Sequence, residues 1–199
     1  YDPQRDLAAI TMVNAGRMVL SVHPSLPARS VKELMALART RPGQLNYASS
    51  GVGNLQHLGM ELLRLQAGVT MNHVPYKGAA PAFVDLISGQ VDLMFANIVG
   101  TMPHLRTGRV RAVAVSSASR SPLLPEVPAV AETFRGFDIP TWSGMFAPAA
   151  TPRAILMRLY AEMASAVKSE DSRQFLDKYY MVGVGNSPDE FAKIYRNDF

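Results

Sequence analysis

The segment NYASSGVGNLQHLGMELL (Asn46–Leu63) brings Ser49, Ser50, Gly51, Gly53 and Asn54 together between a β-like run and a helical one. A strand, a glycine turn and a helix start present hydroxyls and backbone N–H groups to an anion, because the first turn of a helix has unpaired donors and partial positive charge. A dinucleotide would need a third glycine, where Gln56 stands, and an acidic residue further on, where the chain reads Thr70-Met-Asn-His. A P-loop needs Gly-Lys-Ser/Thr, which occurs nowhere. A small-anion site remains, beside the plainer reading of a glycine turn that only starts a helix.

A second loop, Tyr76-Lys77-Gly78-Ala79-Ala80, follows a strand-like run and precedes a helical one, where ligand loops of open α/β sheets fall. Lys77 could bring charge and Tyr76 an aromatic wall; the plain alternative is a surface loop with a solvated lysine. Asn97, at the end of VDLMFAN, falls at the same edge by the same argument, or is a strand-end turn residue. His57 lies one turn into a leucine-striped helix, where packing or capping is its expected role. His23, His73 and His104 have no ligand spacing, so no metal site is expected. A Gly-x-Ser-x-Gly elbow is absent, and Asp85 and Asp92 are poorly placed for paired acid–base work. The residues thus assemble no catalytic set, and neither enzymatic chemistry nor a cofactor is expected.

These loops need elements to hold them. Leu7–Val13 and Arg17–His23 read as two β-rich runs separated by Asn14-Ala15-Gly16. Ser30-Val-Lys-Glu33 is a capping box for a helix that Pro42-Gly43 stops. After the strand Leu45–Ser49, the spacing of Leu55, Leu58, Leu62 and Leu63 predicts a helix with these residues turned inward. Thr70–Tyr76, Val91–Asn97 and Val110–Ser116 read as strands, and Ala79–Ser88 as a helix ended by Gly89. The proline-rich Ser119–Thr133 is a loop or turn-rich crossing, followed by a strand-like Phe137–Pro148. Thr151-Pro152 predicts a cap and first turn for a helix to about Lys168; a further helix at Ser172–Tyr180, a strand at MVGVG and a capping box at Ser187–Glu190 complete the pattern. The alternation predicts an α/β chain built on a parallel, doubly wound sheet.

Composition limits the partners. The 199 residues carry a net charge of +4 with no basic cluster, which disfavours nucleic acid. There are no cysteines, which removes disulfides and thiol chemistry and fits an oxidising compartment. Apolar runs fall short of the ~18 residues of a membrane span. The chain opens on Tyr1 without a methionine and closes within a helical run, so continuations are expected at both ends.

Three stretches resemble the receptors of tripartite tricarboxylate transporters, the Bug-type solute-binding proteins: His23–Leu63, His73–Asn97 and Arg109–Thr133. The motifs carrying the likeness are Tyr-Ala-Ser-x-Gly-x-Gly, Val-Pro-Tyr-Lys-Gly, and the proline loop at Arg120–Ala129. The resemblance implies a periplasmic binding protein fold of the two-crossover type, with two α/β lobes and a ligand cleft between them. Residues 1–16 would end lobe 1 and start the crossover, 17–137 would form lobe 2, and 138–199 would return to lobe 1. The opening part of lobe 1 would be missing. It further implies a monomeric periplasmic receptor, secreted by a signal peptide in its precursor, that takes a small di- or tricarboxylate to membrane permease subunits.

By that likeness the ligand loop carries over to Ser49, Ser50, Gly51, Gly53 and Asn54, with Tyr76, Lys77 and Gly78 facing the cleft. One departure is visible: relatives often read Phe-Asp-Asn where this chain has Phe95-Ala96-Asn97, which favours ligands without a cation. The competing expectation is the effector-sensing domain of a LysR-type transcription regulator, which shares the architecture.

Overall fold

The computed structural model describes residues 1–122 and 124–198. In chain order these form α1 (Pro3–Asp6), β1 (Leu7–Val22), α2 (Val31–Thr40), β2 (Asn46–Ser49), α3 (Leu55–Ala67), β3 (Asn72–Pro75), α4 (Ala79–Ser88) and β4 (Leu93–Asn97). They continue as α5 (Ile98–Arg106), β5 (Arg111–Val115), a short 3-10 turn (Val130–Glu132), β6 (Pro140–Pro148), α6 (Arg153–Lys168), α7 (Glu170–Lys178), β7 (Val182–Gly183) and α8 (Pro188–Asn197). No helix among the described residues is long and apolar enough to cross a membrane.

The chain divides into two compact units. The larger, Arg17–Pro140, is an α/β layer structure on a sheet ordered β3-β2-β4-β1-β5. β2 runs parallel to β3 and β4, whereas β1 is antiparallel to both β4 and β5. The sheet is therefore mixed, not wholly parallel as the sequence predicts. Its alternation of strand and helix is obeyed by β2 to β5; β1 enters from outside that series, and only long-range pairing sets its direction.

One face of this sheet packs Met18, Leu20, Tyr47, Leu93 and Phe95 against α2 and α3. The other packs Ala48, Met94 and Ala96 against α4. Gly59 lets α3 lie close to the sheet and to Ile139, since a Cβ there would stand 3.4 Å from Met18 Cε on β1, 3.5 Å from Phe95 Cδ2 on β4 and 3.0 Å from Ile139 Cδ1. Helix α2 starts as its sequence predicts, with Ser30 Oγ accepting from the Glu33 N–H at 3.2 Å. The Glu33 carboxylate reaches the Arg29 N–H instead of that of Ser30. The leucine stripe of α3 is corrected by the structure: Leu63 is buried, but Leu55, Leu58 and Leu62 are exposed, as is Leu65. The face that goes inward carries Gln56, Gly59, Met60, Leu63 and Ala67, small or flexible side chains that admit the helix to the sheet.

The smaller unit comprises Tyr1–Gly16 and the chain from Thr141 onward. Here β1 pairs antiparallel with β7, Asn14 opposite Gly183 and Ala15 opposite Val182. Asn14-Ala15-Gly16 does not interrupt the strand, and backbone pairing to β7 holds Asn14 and Ala15 extended despite their weak strand propensity. Trp142, Phe146, Phe191 and Tyr195 form an aromatic cluster with centroids 4.9–6.5 Å apart. Trp142 Nε1 donates to Asp198 at 2.6 Å and ties α8 to β6. The capping box at Ser187–Glu190 forms in full. By contrast, Pro152 caps α6, displacing the expected Thr151.

Candidate anion-binding edge

Because β2, β3 and β4 run in one direction, their carboxyl ends lie along one edge of the sheet, and each leads straight into a helix. The N-termini of α3, α4 and α5 therefore gather at that edge, with their orphan N–H groups and positive dipole ends. The residues at their entrances are Ser49 to Asn54, Tyr76 to Gly78, and Asn97. The topology of the larger unit thus brings together every site residue that the sequence singles out.

Within the first loop, side chains hold the turn. Ser49 is buried; its Oγ donates to the Gly51 carbonyl at 2.9 Å and lies 2.7 Å from His73 Nε2. The Ser50 N–H donates to Gln56 Oε1 at 2.9 Å, and Asn54 Nδ2 donates to Ser50 Oγ at 2.6 Å. Asn54 Oδ1 accepts from the His57 N–H at 2.9 Å and so caps α3. Gly51 and Gly53 have φ of 149° and 78°, values that a side chain rarely adopts. Among the described residues, the N–H groups of Val52, Asn54, Leu55 and Gln56 meet no acceptor. Ser50 Oγ accepts a bond but its own proton is unspent.

The second loop is tied to the first, since the Tyr76 N–H donates to the Ser49 carbonyl at 2.9 Å and the Gly78 N–H to that of Ser50 at 3.2 Å. Lys77 is exposed. Tyr76 is no free wall: its hydroxyl donates to Asp85 at 2.6 Å, and burial followed by that carboxylate pushes its pKa up to about 12. Asn97 is exposed and caps α5 without a side-chain bond, while Ala96 beside it is buried in the apolar layer.

Behind the first loop stand Tyr47, His57 and His73, stacked with centroids 4.0 Å apart for the two imidazoles and 4.8 Å for Tyr47 on His73. The Tyr47 hydroxyl donates to Glu61 at 2.6 Å, and Arg64 pairs with the same carboxylate. Burial, above all, and then the neighbouring His57 hold the His73 pKa below its usual value. Sequence reasoning left His73 unassigned, because its partners come from another strand and another helix.

It also passed over Arg17. Met18 lies opposite Asn97 in the pairing of β1 with β4, so Arg17 sits at the same sheet edge. Its Nε is buried with no hydrogen-bond partner. In sequence an arginine at the start of a β-run looks like any solvated one.

No group of three or more His, Cys, Asp or Glu side chains among the described residues could hold a metal. In the smaller unit a cavity of about 350 Å³ lies among Val13, Val167, Phe175, Leu176 and Met181. Its walls are mainly apolar, with Asn14, Asp171 and Ser172 as the polar lining.

Comparison with known proteins extends the picture. The family described as "Tripartite tricarboxylate transporter family receptor" matches residues 1–198. A protein from the tcbD-tcbE intergenic region of Pseudomonas sp. strain P51 is 36% identical over 100% of this chain and 60% of its own length. Protein BugT of Bordetella pertussis is 34% identical over 85% of this chain and 52% of its own. Among solved structures, Rpa4515 of R. palustris with adipate superimposes with a TM-score of 0.93 at 34% identity, covering 99% of this chain and 66% of that one. MatC of Rhodopseudomonas palustris with bound malate gives 0.90 at 28% identity, covering 99% and 68%. The chain thus spans 60% of the length of the first of these relatives, and the periplasmic binding protein BugD shares its fold with a TM-score of 0.90.

Proposed function

The chain belongs to the tripartite tricarboxylate transporter receptor family, and from that premise we propose that it is part of a receptor that captures a small organic acid without chemical change. The observation that carries this reading is the convergence of three helix N-termini on one sheet edge, with unpaired N–H groups at Val52, Asn54, Leu55 and Gln56. A carboxylate there accepts backbone N–H bonds and the spare proton of Ser50. Such charge-assisted bonds are shorter and stronger than neutral ones. Lys77 and Arg17 add positive charge at the same edge.

Adipate and malate are bound by two proteins of similar structure, which supports a dicarboxylate as ligand class. The family description supports delivery to membrane permease subunits. We read the whole protein as a monomeric, extracytoplasmic receptor. Catalysis is disfavoured because Ser49, the hydroxyl beside an imidazole, is buried and has committed its proton to Gly51. It has no nucleophilic role open to it.

Titration calorimetry of the full-length protein with mono-, di- and tricarboxylates tests this. Binding of a dicarboxylate is expected, and a Ser50→Leu variant should abolish it while leaving the thermal midpoint of the free protein nearly unchanged. Unaltered affinity in that variant would remove the loop from the site.

A further inference from the structure

The tip of the Ser49–Asn54 loop has almost nothing packed against it. Val52 is 75% exposed, and a Cβ at Gly53 would meet open space. Hydrogen bonds, not packing, must therefore set its shape, and two of them come from the stacked histidines. The Gly53 N–H donates to His57 Nδ1 at 3.1 Å, so that nitrogen carries a lone pair. With the single Ser49 proton given to the Gly51 carbonyl, the 2.7 Å contact with His73 is satisfied by the tautomer that carries its proton on Nε2. The two rings lie 20° from parallel and brace one another. One imidazole accepts from the loop and the other donates to it.

Resting on the reading of the chain as a carboxylate receptor, we propose that His57 and His73 are positioning residues for ligand binding. They clamp the Gly53 amide and the Ser49 hydroxyl so that the N–H groups of Val52, Asn54 and Leu55 meet the acid already aligned. Without these two bonds the two glycines leave the loop free to sample other shapes, and binding must then bear the cost of ordering it. The charged and titratable groups facing the pair are Tyr47 from β2 and, on α3, Glu61 with its partner Arg64.

The test uses the full-length protein with adipate and malate as probes. His57→Phe keeps a ring in the stack but no acceptor, and His73→Phe keeps a ring but no donor; each is expected to weaken binding about tenfold, the value of roughly one hydrogen bond. His57→Asn, whose oxygen reaches the place of Nδ1, and His73→Gln, whose amide donates like Nε2, are expected to restore most of it. Phenylalanine variants that bind like the wild type overturn the proposal. So do Asn and Gln variants that lose as much as Phe at unchanged thermal midpoint, since the effect would then be structural.

A ligand-free readout separates this proposal from the receptor reading. The Gly53 amide, bonded to His57 Nδ1, should exchange slowly with solvent in the wild type, faster in His57→Phe, and slowly again in His57→Asn. If no carboxylate binds at any concentration, the receptor reading fails, and the exchange rate of the Gly53 amide alone decides whether His57 holds the loop. An amide indifferent to His57 overturns the clamp.

Discussion

The hydroxyl of Tyr76 donates to the Asp85 carboxylate at 2.6 Å, which braces the loop after β3 against the helix that follows it. Tyr76→Phe removes that brace and leaves a half-buried carboxylate short of a donor. A loss of about 1 kcal/mol in urea unfolding is expected. The loop also carries Gly78, bonded to the Ser50 carbonyl, so ligand affinity should fall with it. Unchanged affinity would mean that the second loop does not help shape the first.

Arg17 offers a sharper electrostatic test. Its buried Nε lacks a partner, and an incoming carboxylate at this edge could supply one. Arg17→Met keeps the apolar stem and removes the charge. A loss of tenfold or more in dicarboxylate affinity is expected by calorimetry, and the loss should shrink at high salt as screening weakens the wild type. Equal affinities would leave the helix N-termini as the whole of the anion site.

The ligand should lack an amino group. At the end of β4 the chain has buried Ala96 and exposed Asn97, neither charged. The nearby acids are committed, Asp85 to Tyr76 and Glu61 to Tyr47 and Arg64. An ammonium would be desolvated there without a counter-charge. Malate is therefore expected to bind more tightly than aspartate, and the reverse order in a competition assay would refute this account of the β4 end.

Stability should decline in mild acid. Burial is the leading cause that lowers the folded-state pKa of both His73 and His104 below the ordinary 6.5. As pH falls the unfolded chain takes up these protons first. Their contribution is thus complete above about 6.5 and is lost as pH drops from there through the folded values. Urea midpoints measured from pH 7.5 down to 5.5, above the ordinary carboxylate range, should fall. Replacing His104 by Gln should flatten that slope; an identical slope would assign the effect to other groups.

Packing sets one further limit. A Cβ on Gly144 would stand 2.1 Å from Phe191 Cζ, inside the aromatic cluster of the smaller unit. Gly144→Ala is expected to cost about 1–3 kcal/mol by overpacking, read as a lower thermal midpoint, whereas loop variants at Ser50 should leave it nearly unchanged.

The sequence by itself determined what local forces decide. The N-cap at Ser30, the capping box at Ser187, the glycine stop at Gly89, and the loops at Ser49–Asn54 and Tyr76–Gly78 were legible because each rests on residues a few positions apart. The motifs in those loops were also enough to indicate the family. Tertiary structure decided whatever depends on distant partners. It carried β1 on through Asn14 and Ala15, since both pair with β7. It turned Leu55, Leu58 and Leu62 outward, because the sheet admits only the glycine-bearing face of α3. It buried Ser49, engaged Tyr76 with Asp85, stacked His57 on His73 and set Arg17 beside the end of β4. Periodicity and capping report on one helix or one turn, whereas a hydrogen-bond partner on another strand is fixed only when the sheet closes.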